Sequence, residues 1–242
     1  STPKPSSAAS DVYKRQDIPQ TVNTDLMWFV GAMAGDGHIG SPEDRRWGHA
    51  LFFHNKDLEL LNRAERILEN VFGLRVKRYF DVRRGTFTLE TSSSVVAEIL
   101  QYFGVPAGSK TLTLSIPDSV SQLPNDLLAA YLRGFFDTDG GLSRRYREIT
   151  FGLINKEVVE RMVLLLLRFG IFSRFRVNKK GSKVSYQLVV SGKENLVRFA
   201  EVIGFTSTKK QRELREFIRS FKSSSQIALS VPGIQDRIRR LY

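Results

Sequence analysis

Cysteine is absent from the 242 residues, which excludes disulfides, thiolate metal sites and cysteine nucleophiles together. Histidine is scarce, with only His38, His49 and His54, so a histidine-rich metal centre is not expected. No apolar run approaches the roughly 20 residues of a membrane span. Residues 1–20 carry no apolar stretch, so a secretory signal is not expected either, and an intracellular protein is. Acidic residues are in deficit: 25 Asp and Glu stand against 37 Lys and Arg, a net charge of +12. An excess of this size favours a polyanionic partner, because each neutralised phosphate releases condensed counterions. What is present in quantity is apolar: 41% hydrophobic residues suffice for a core in one large domain or two small ones.

The chain repeats itself. Phe29-Val30-Gly31-Ala32-Met33-Ala34-Gly35-Asp36-Gly37 reads against Leu132-Arg133-Gly134-Phe135-Phe136-Asp137-Thr138-Asp139-Gly140, with Asp36 and Asp139 lying 103 residues apart. Phe53-His54-Asn55-Lys56-Asp57 reads against Leu153-Ile154-Asn155-Lys156-Glu157 at an offset of 100. Phe72-Gly73-Leu74 pairs with Phe169-Gly170-Ile171, and Phe103-Gly104 leads to Lys110 as Ile203-Gly204 leads to Lys210. Four landmarks in one order predict two halves, 21–122 and 123–220. They are flanked by a tail of linker composition at 1–20 and a tail at 221–242 that ends in Leu241-Tyr242.

Each half reads as helix, strand pair, helix, strand pair, helix. The first helices open at Asn23-Thr24-Asp25 and Pro124-Asn125-Asp126 and are expected to close on Gly37 and Gly140. Strands are predicted near 47–54 and 146–154, and helices over 57–71 and 156–169. The run from Met162 to Leu167 suggests burial on most sides of the second of these helices. In 75–84, alternation puts Arg75, Lys77, Tyr79, Asp81 and Arg83 on one face and Val76, Phe80 and Val82 on the other. Arg174, Arg176 and Asn178 alternate likewise with Phe175 and Val177. That period makes sheets with one core face and one cationic face.

The paired nonapeptides, with the strand and lysine landmarks that follow each, resemble those of monomeric, two-motif LAGLIDADG homing endonucleases; the similarity runs over about residues 22–218. The resemblance implies an α+β fold of pseudo-twofold duplicated αββαββα halves. Two antiparallel, saddle-shaped DNA-binding sheets would flank a central pair of motif helices. The spacing has its own logic: Gly31 and Gly35, like Gly134 and Thr138, lie four apart on one helix face. A helical glycine costs about 1 kcal/mol against alanine, a cost that close helix pairing explains. Asp36 and Asp139 would sit at helix C-termini, the wrong end for a carboxylate, and a divalent cation would resolve that conflict.

The resemblance further implies a monomer that makes a staggered cut in long double-stranded DNA, with Mg²⁺ as cofactor, Mn²⁺ as a substitute and Ca²⁺ binding without cleavage. Asp36 and Asp139 would be metal ligands, joined by the backbone carbonyls of Gly35 and Thr138. Asn55 and Asn155 match a position that hydrogen-bonds water near the metals. Lys110 and Lys210 match a basic position thought to polarise water or stabilise developing charge, with Lys209 as a competitor for the second. Arg75, Lys77, Arg83, Arg174, Arg176 and Lys183 are the candidate DNA contacts. Because these strands differ between halves, the target should be non-palindromic. The first motif carries Ala34 where the second carries Asp137, a position not held to be the principal ligand. Arg133 is tolerable if it faces away from the helix pair.

Two other activities on this fold stay open: an RNA maturase acting on intron RNA, and a catalytically silent DNA-binding regulator, although the latter usually shows damaged motif acids. An intein is not expected of a chain ending without His-Asn. An HNH nuclease is not expected from His54-Asn55 without a second histidine. The three histidines are expected to be structural or to face DNA.

Overall fold

A computed structural model describes residues 21–41, 43, 48–83 and 85–221. The tail expected at 1–20, and the tail expected at 221–242 apart from Phe221, lie outside the described residues. Two copies of one element order follow each other. The first runs α1 (Thr24–Asp36), β1 (Gly37–Ile39), β2 (Ala50–Asn55), α2 (Leu58–Asn70), β3 (Lys77–Asp81), β4 (Thr86–Ser92) and α3 (Ser94–Tyr102). A four-residue helix, α4 (Asp118–Ser121), leads to the second: α5 (Asn125–Asp139), β5 (Gly140–Ser143), β6 (Glu148–Leu153), α6 (Lys156–Arg168), β7 (Ser173–Lys180), β8 (Lys183–Val190) and α7 (Lys193–Val202). Helix α8 (Thr208–Ser220) closes the described chain. Each half forms a four-stranded antiparallel sheet, in the orders β1-β2-β4-β3 and β5-β6-β8-β7. The expected α+β, duplicated fold is present. No described helix is long and apolar enough to cross a membrane.

The halves meet through α1 and α5, each buried along most of its length. A Cβ on Gly31 would overlap the Tyr131 carbonyl oxygen and lie 3.0 Å from the Phe135 nitrogen; one on Gly134 would overlap the Trp28 carbonyl oxygen and lie 2.8 Å from the Ala32 nitrogen. These reciprocal approaches advance in the same direction along both helices, so the helices run parallel and deliver both C-termini to one place. Gly37 and Gly140 close their helices as expected, in extended backbone and not in a left-handed turn. Their φ values are −85° and −77°, and each helix passes straight into a strand. Glycine is needed there for space, since a Cβ on Gly37 would sit 2.6 Å from the Met33 Cα and one on Gly140 would overlap the Phe136 carbonyl oxygen.

Phe151 packs edge-on against Phe135 and beside Phe136 of α5, at ring separations of 4.8 and 5.3 Å. The odd-numbered face of β6 therefore meets the helices. By the pairing register, Arg174, Arg176, Gln187 and Val189 share the opposite face with Glu148 and Thr150. The alternation read from β3 and β7 holds, but its apolar side is not core: Phe80 is 51% and Val177 49% exposed. Both strands are sheet edges. Helix α6 likewise buries one side only. Met162, Leu165 and Leu166 are covered, while Leu164 is 65% exposed, because α6 lies on a sheet with nothing of the described chain over its outer face.

Candidate active site between the two motif helices

Asp36 and Asp139 are the last residues of α1 and α5, so the parallel pairing brings one carboxylate from each half to the same spot. A Cβ at Gly35 would lie 2.7 Å from the Thr138 Cβ and 3.2 Å from the Asp139 Oδ2; the absence of a side chain there is what lets the second carboxylate approach. Burial pushes the Asp36 carboxyl up, against Lys110, Lys210 and the Asn55 hydrogen bond, which favour its ionised form. Asp139 is pushed up to about 6, by burial first and then by the neighbouring Asp36 charge, with both lysines opposing. Two half-buried acids in each other's field, unfavourable as bare anions, suit a hard divalent cation.

Lys110 follows α3 on a segment tied to β1 by the Gly108 N–H to Ile39 carbonyl bond of 2.8 Å. Its ammonium donates to the carbonyls of Met33, Gly35 and Gly37. Lys210, in the first turn of α8, donates to Phe136, Asp137 and Gly140 at 3.3, 2.6 and 2.8 Å. Each lysine thus satisfies orphan carbonyls and opposes the macrodipole where the acids need it. Burial lowers both ammonium pKa values, against the aspartates. Lys210 rather than the exposed Lys209 occupies this position. The Gly35 carbonyl, expected as a metal ligand, is engaged by Lys110, whereas the Thr138 carbonyl is not among the acceptors of Lys210.

The two asparagines part company. Asn55 donates to the Asp36 Oδ2 at 2.7 Å. Asn155 lies elsewhere: its Nδ2 donates to the Leu112 and Leu114 carbonyls at 3.2 and 2.8 Å, and its Oδ1 caps α6 at Val158. Aligning Asn-Lys with Asn-Lys set the repeat two residues off. Residues 57 and 155, 98 apart, are the N-caps of α2 and α6, and β2 and β6 keep that offset. The structural counterpart of Asn55 is Leu153, which packs against the core.

Asp137, set aside in the sequence as a variable motif acid, has a structural task. Its Oδ2 accepts from the Trp28 Nε1 and its Oδ1 from the Thr206 backbone N–H, each at 2.8 Å. Arg63 lies 4.4 Å over the Trp28 ring and donates to Asp25 and Thr206. This buried network ties α1 to the second half. We predict that Asp137→Ala lowers unfolding stability by about 2–4 kcal/mol, since two buried donors lose their acceptor; an unchanged urea midpoint would remove Asp137 from this role. Arg133 does face away from the helix pair, donating to the Ile203 carbonyl.

An open cavity of about 830 Å³ borders Asp36 and Lys110 and is lined by His38, Phe52, His54, Tyr79 and Asp81. His54 pairs through its Nδ1 with the Thr88 Oγ1 at 2.8 Å. Nothing in the spacing of these residues announced the cavity. All six candidate DNA contacts are exposed. Arg75 precedes β3 and its carbonyl accepts from the Thr91 Oγ1; the Lys77 ammonium lies 5.3 Å from the Tyr79 ring; the Arg83 N–H donates to the Asp81 Oδ1. Arg174 and Arg176 both approach Glu148, and Lys183 pairs with Lys180 at the tip of the β7–β8 hairpin. The candidates stand on the sheets and hairpins of both halves.

Residues 126–204 match the family model described as a LAGLIDADG-like domain. This stretch of the second half is a LAGLIDADG-like domain. The likeness of fold covers more: a mesophilic variant of the homing endonuclease I-DmoI aligns with TM-score 0.60 at 11% identity, over 80% of this chain and 97% of that one. The homing endonuclease I-WcaI, bound to its DNA recognition sequence, aligns with TM-score 0.56 at 15% identity, over 88% and 94%. Full-length DUF199/WhiA from Thermatoga maritima aligns with TM-score 0.57 at 14% identity, over 93% and 70%. Among curated sequences, this chain is 28% identical over 228 residues to a glutamine–fructose-6-phosphate aminotransferase and 32% identical over 200 residues to a replication factor C small subunit, both of Methanocaldococcus jannaschii. It covers 92% and 81% of itself in these matches but spans only 20% and 10% of those proteins. The two relatives are named for unrelated activities, and what they have in common with this chain is one segment.

Proposed function

We propose that this protein is a monomeric, metal-dependent DNA endonuclease. It would make a staggered double-strand cut, leaving 3′ overhangs, in a long non-palindromic target. The convergence of Asp36 and Asp139 from opposite halves into one half-buried site, each helix end held by its own lysine, is the observation that carries this reading. The halves, taken as 21–122 and 123–220, would each serve one strand. The homing endonuclease I-DmoI was solved with DNA and Mn or Ca, and a variant of it with DNA in the presence of Mg, which supports a divalent cation; in this reading Mg²⁺ is the working ion and Mn²⁺ a substitute.

Asp36 and Asp139 would hold the ion, with the Thr138 carbonyl available and the Gly35 carbonyl available once Lys110 releases it. A divalent cation bound there supplies Lewis acidity, lowering the pKa of water and neutralising charge at the phosphate. Asn55 orients the Asp36 carboxylate and presents an amide to water beside it. Lys110 and Lys210 keep their protons on Nζ against the helix carbonyls and stabilise negative charge developing nearby. The cationic sheet faces position the duplex through phosphates and base edges.

The test starts from duplexes enriched by binding to the protein from a randomised pool in Ca²⁺. Cloned into plasmids, these should be cut on both strands with Mg²⁺ and left intact with chelator, and Asp36→Asn or Asp139→Asn should reduce cutting at least 100-fold while binding persists. Because Asn55 faces Leu153 across the pseudosymmetry, nicked circles should accumulate before linear product. Binding without cutting under either metal would leave the silent regulator; preference for intron RNA over duplex DNA would leave the maturase.

A further inference from the structure

Glu148 is a buried carboxylate that no step above uses. It opens β6 on the sheet face turned away from the helices, with its side chain only 8% exposed. Arg174 donates to its Oε1 at 2.6 Å through Nη2, and the Arg176 Nη2 lies 3.7 Å from the same oxygen. The two guanidiniums come from alternate positions of β7 and remain 58% and 42% exposed. A carboxylate this buried is tolerated only when paired, and two arginines this close need an anion between them.

The base of this arrangement is itself pinned. Arg147, directly before Glu148, has φ 52°, a left-handed conformation uncommon for a residue with a side chain. Its Nη1 donates to the Ser220 carbonyl at 3.1 Å, and its guanidinium lies 4.7 Å from the Phe221 ring.

Among the described residues the first half shows no equivalent. At the offset of 98 residues that relates β2 to β6, the place of Glu148 is taken by Ala50. By register, Lys77 and Tyr79 stand where Arg174 and Arg176 stand. A lysine is a flexible point charge; a guanidinium held at one nitrogen keeps its remaining donors in a fixed fork.

We infer that Glu148 is a positioning residue for sequence reading: it presets Arg174 and Arg176 to meet base edges in the major groove, so that the part of the target under the second sheet is read more stringently than the part under the first. The natural object of such a fork is the O6/N7 edge of guanine. The inference rests on the reading that these sheets bind DNA.

The test uses the full chain and a randomised duplex pool. Wild-type protein should enrich guanine at positions under β7. Glu148→Ala, which installs the residue found at Ala50, should lower that preference roughly tenfold, the scale of one bidentate contact. Positions under the first sheet should keep their preference, and the salt dependence of binding to bulk DNA should stay as it was. Glu148→Gln, which keeps an acceptor without the charge, should fall between the two and guards against loss of folding in the alanine variant. Unchanged preference under β7 in both variants overturns the inference. So does a uniform loss of affinity that tracks a lowered melting temperature, because that marks a merely structural residue. Failure of the wild type to enrich any sequence instead overturns the DNA-binding reading and takes this inference with it.

Discussion

Gly31→Ala is expected to destabilise the protein by about 3 kcal/mol, at the upper end of what overpacking a close interface costs. The added methyl would overlap the Tyr131 carbonyl oxygen and crowd the Phe135 nitrogen. These are backbone atoms of a buried helix, so no side-chain rotation relieves them; the two motif helices must separate. The removal of a helical glycine works the other way by about 1 kcal/mol, which makes net destabilisation a sharp test of the contact. Gly134→Ala should cost a similar amount against the Trp28 carbonyl and the Ala32 nitrogen. Both substitutions open the same interface, so the double variant should lose less than the two single losses added together. Urea unfolding of the three variants measures this. A Gly31→Ala protein as stable as wild type, or more so, would mean that the helices do not approach as closely as described. Since the interface also carries Gly35 beside Asp139, either variant should in addition impair metal binding by moving the carboxylates apart.

Asp139→Asn should make the metal-free protein more stable while making it indifferent to metal. Burial and the Asp36 charge raise the folded-state pKa of Asp139 to about 6 from its ordinary value of 3.8. Between those values the folded protein holds a proton that the unfolded chain has released, so stability falls as pH rises through the window and stays lower above it. The liability is fully expressed at neutral pH, where asparagine at this position should raise unfolding stability by about 1–3 kcal/mol, the scale of a shift of this size in a partly exposed group. Below pH 4 the gain should vanish. Mg²⁺ should reverse the comparison: it raises the melting temperature of the wild type, more strongly as pH climbs past 6 and the carboxyl ionises, and leaves the variant unmoved. Thermal unfolding at pH 4 and pH 7.5, with Mg²⁺ or chelator, reads all four states. An Asp139→Asn variant less stable than wild type without metal at pH 7.5 would show that the carboxylate is held by favourable contacts and not by geometry awaiting a cation.

Much of this molecule was legible before any coordinates. The duplicated motif placed α1 and α5, their small residues anticipated the close pairing, and their terminal acids marked the candidate site, because helix period and glycine cost act over a few residues. Strand alternation found the cationic face of both edge hairpins for the same reason. Asn155 went wrong because Asn-Lys recurs two residues out of structural step, and only the caps of α2 and α6 reveal the offset. Asp137 looked like a spare motif acid because its partners, Trp28 and Thr206, are distant in sequence.

From the chain alone came the number of halves, the helix pair, the identity of its two acids and the sign of its surface charge, since these depend on local periodicity and composition. Tertiary structure alone decided that Lys210 and not Lys209 reaches the motif carbonyls, that Leu153 stands opposite Asn55, that the apolar sides of β3 and β7 stay in solvent, and that Glu148 gathers two arginines. Those are meetings between segments far apart in sequence, set by how helices and sheets pack, and no local pattern encodes them.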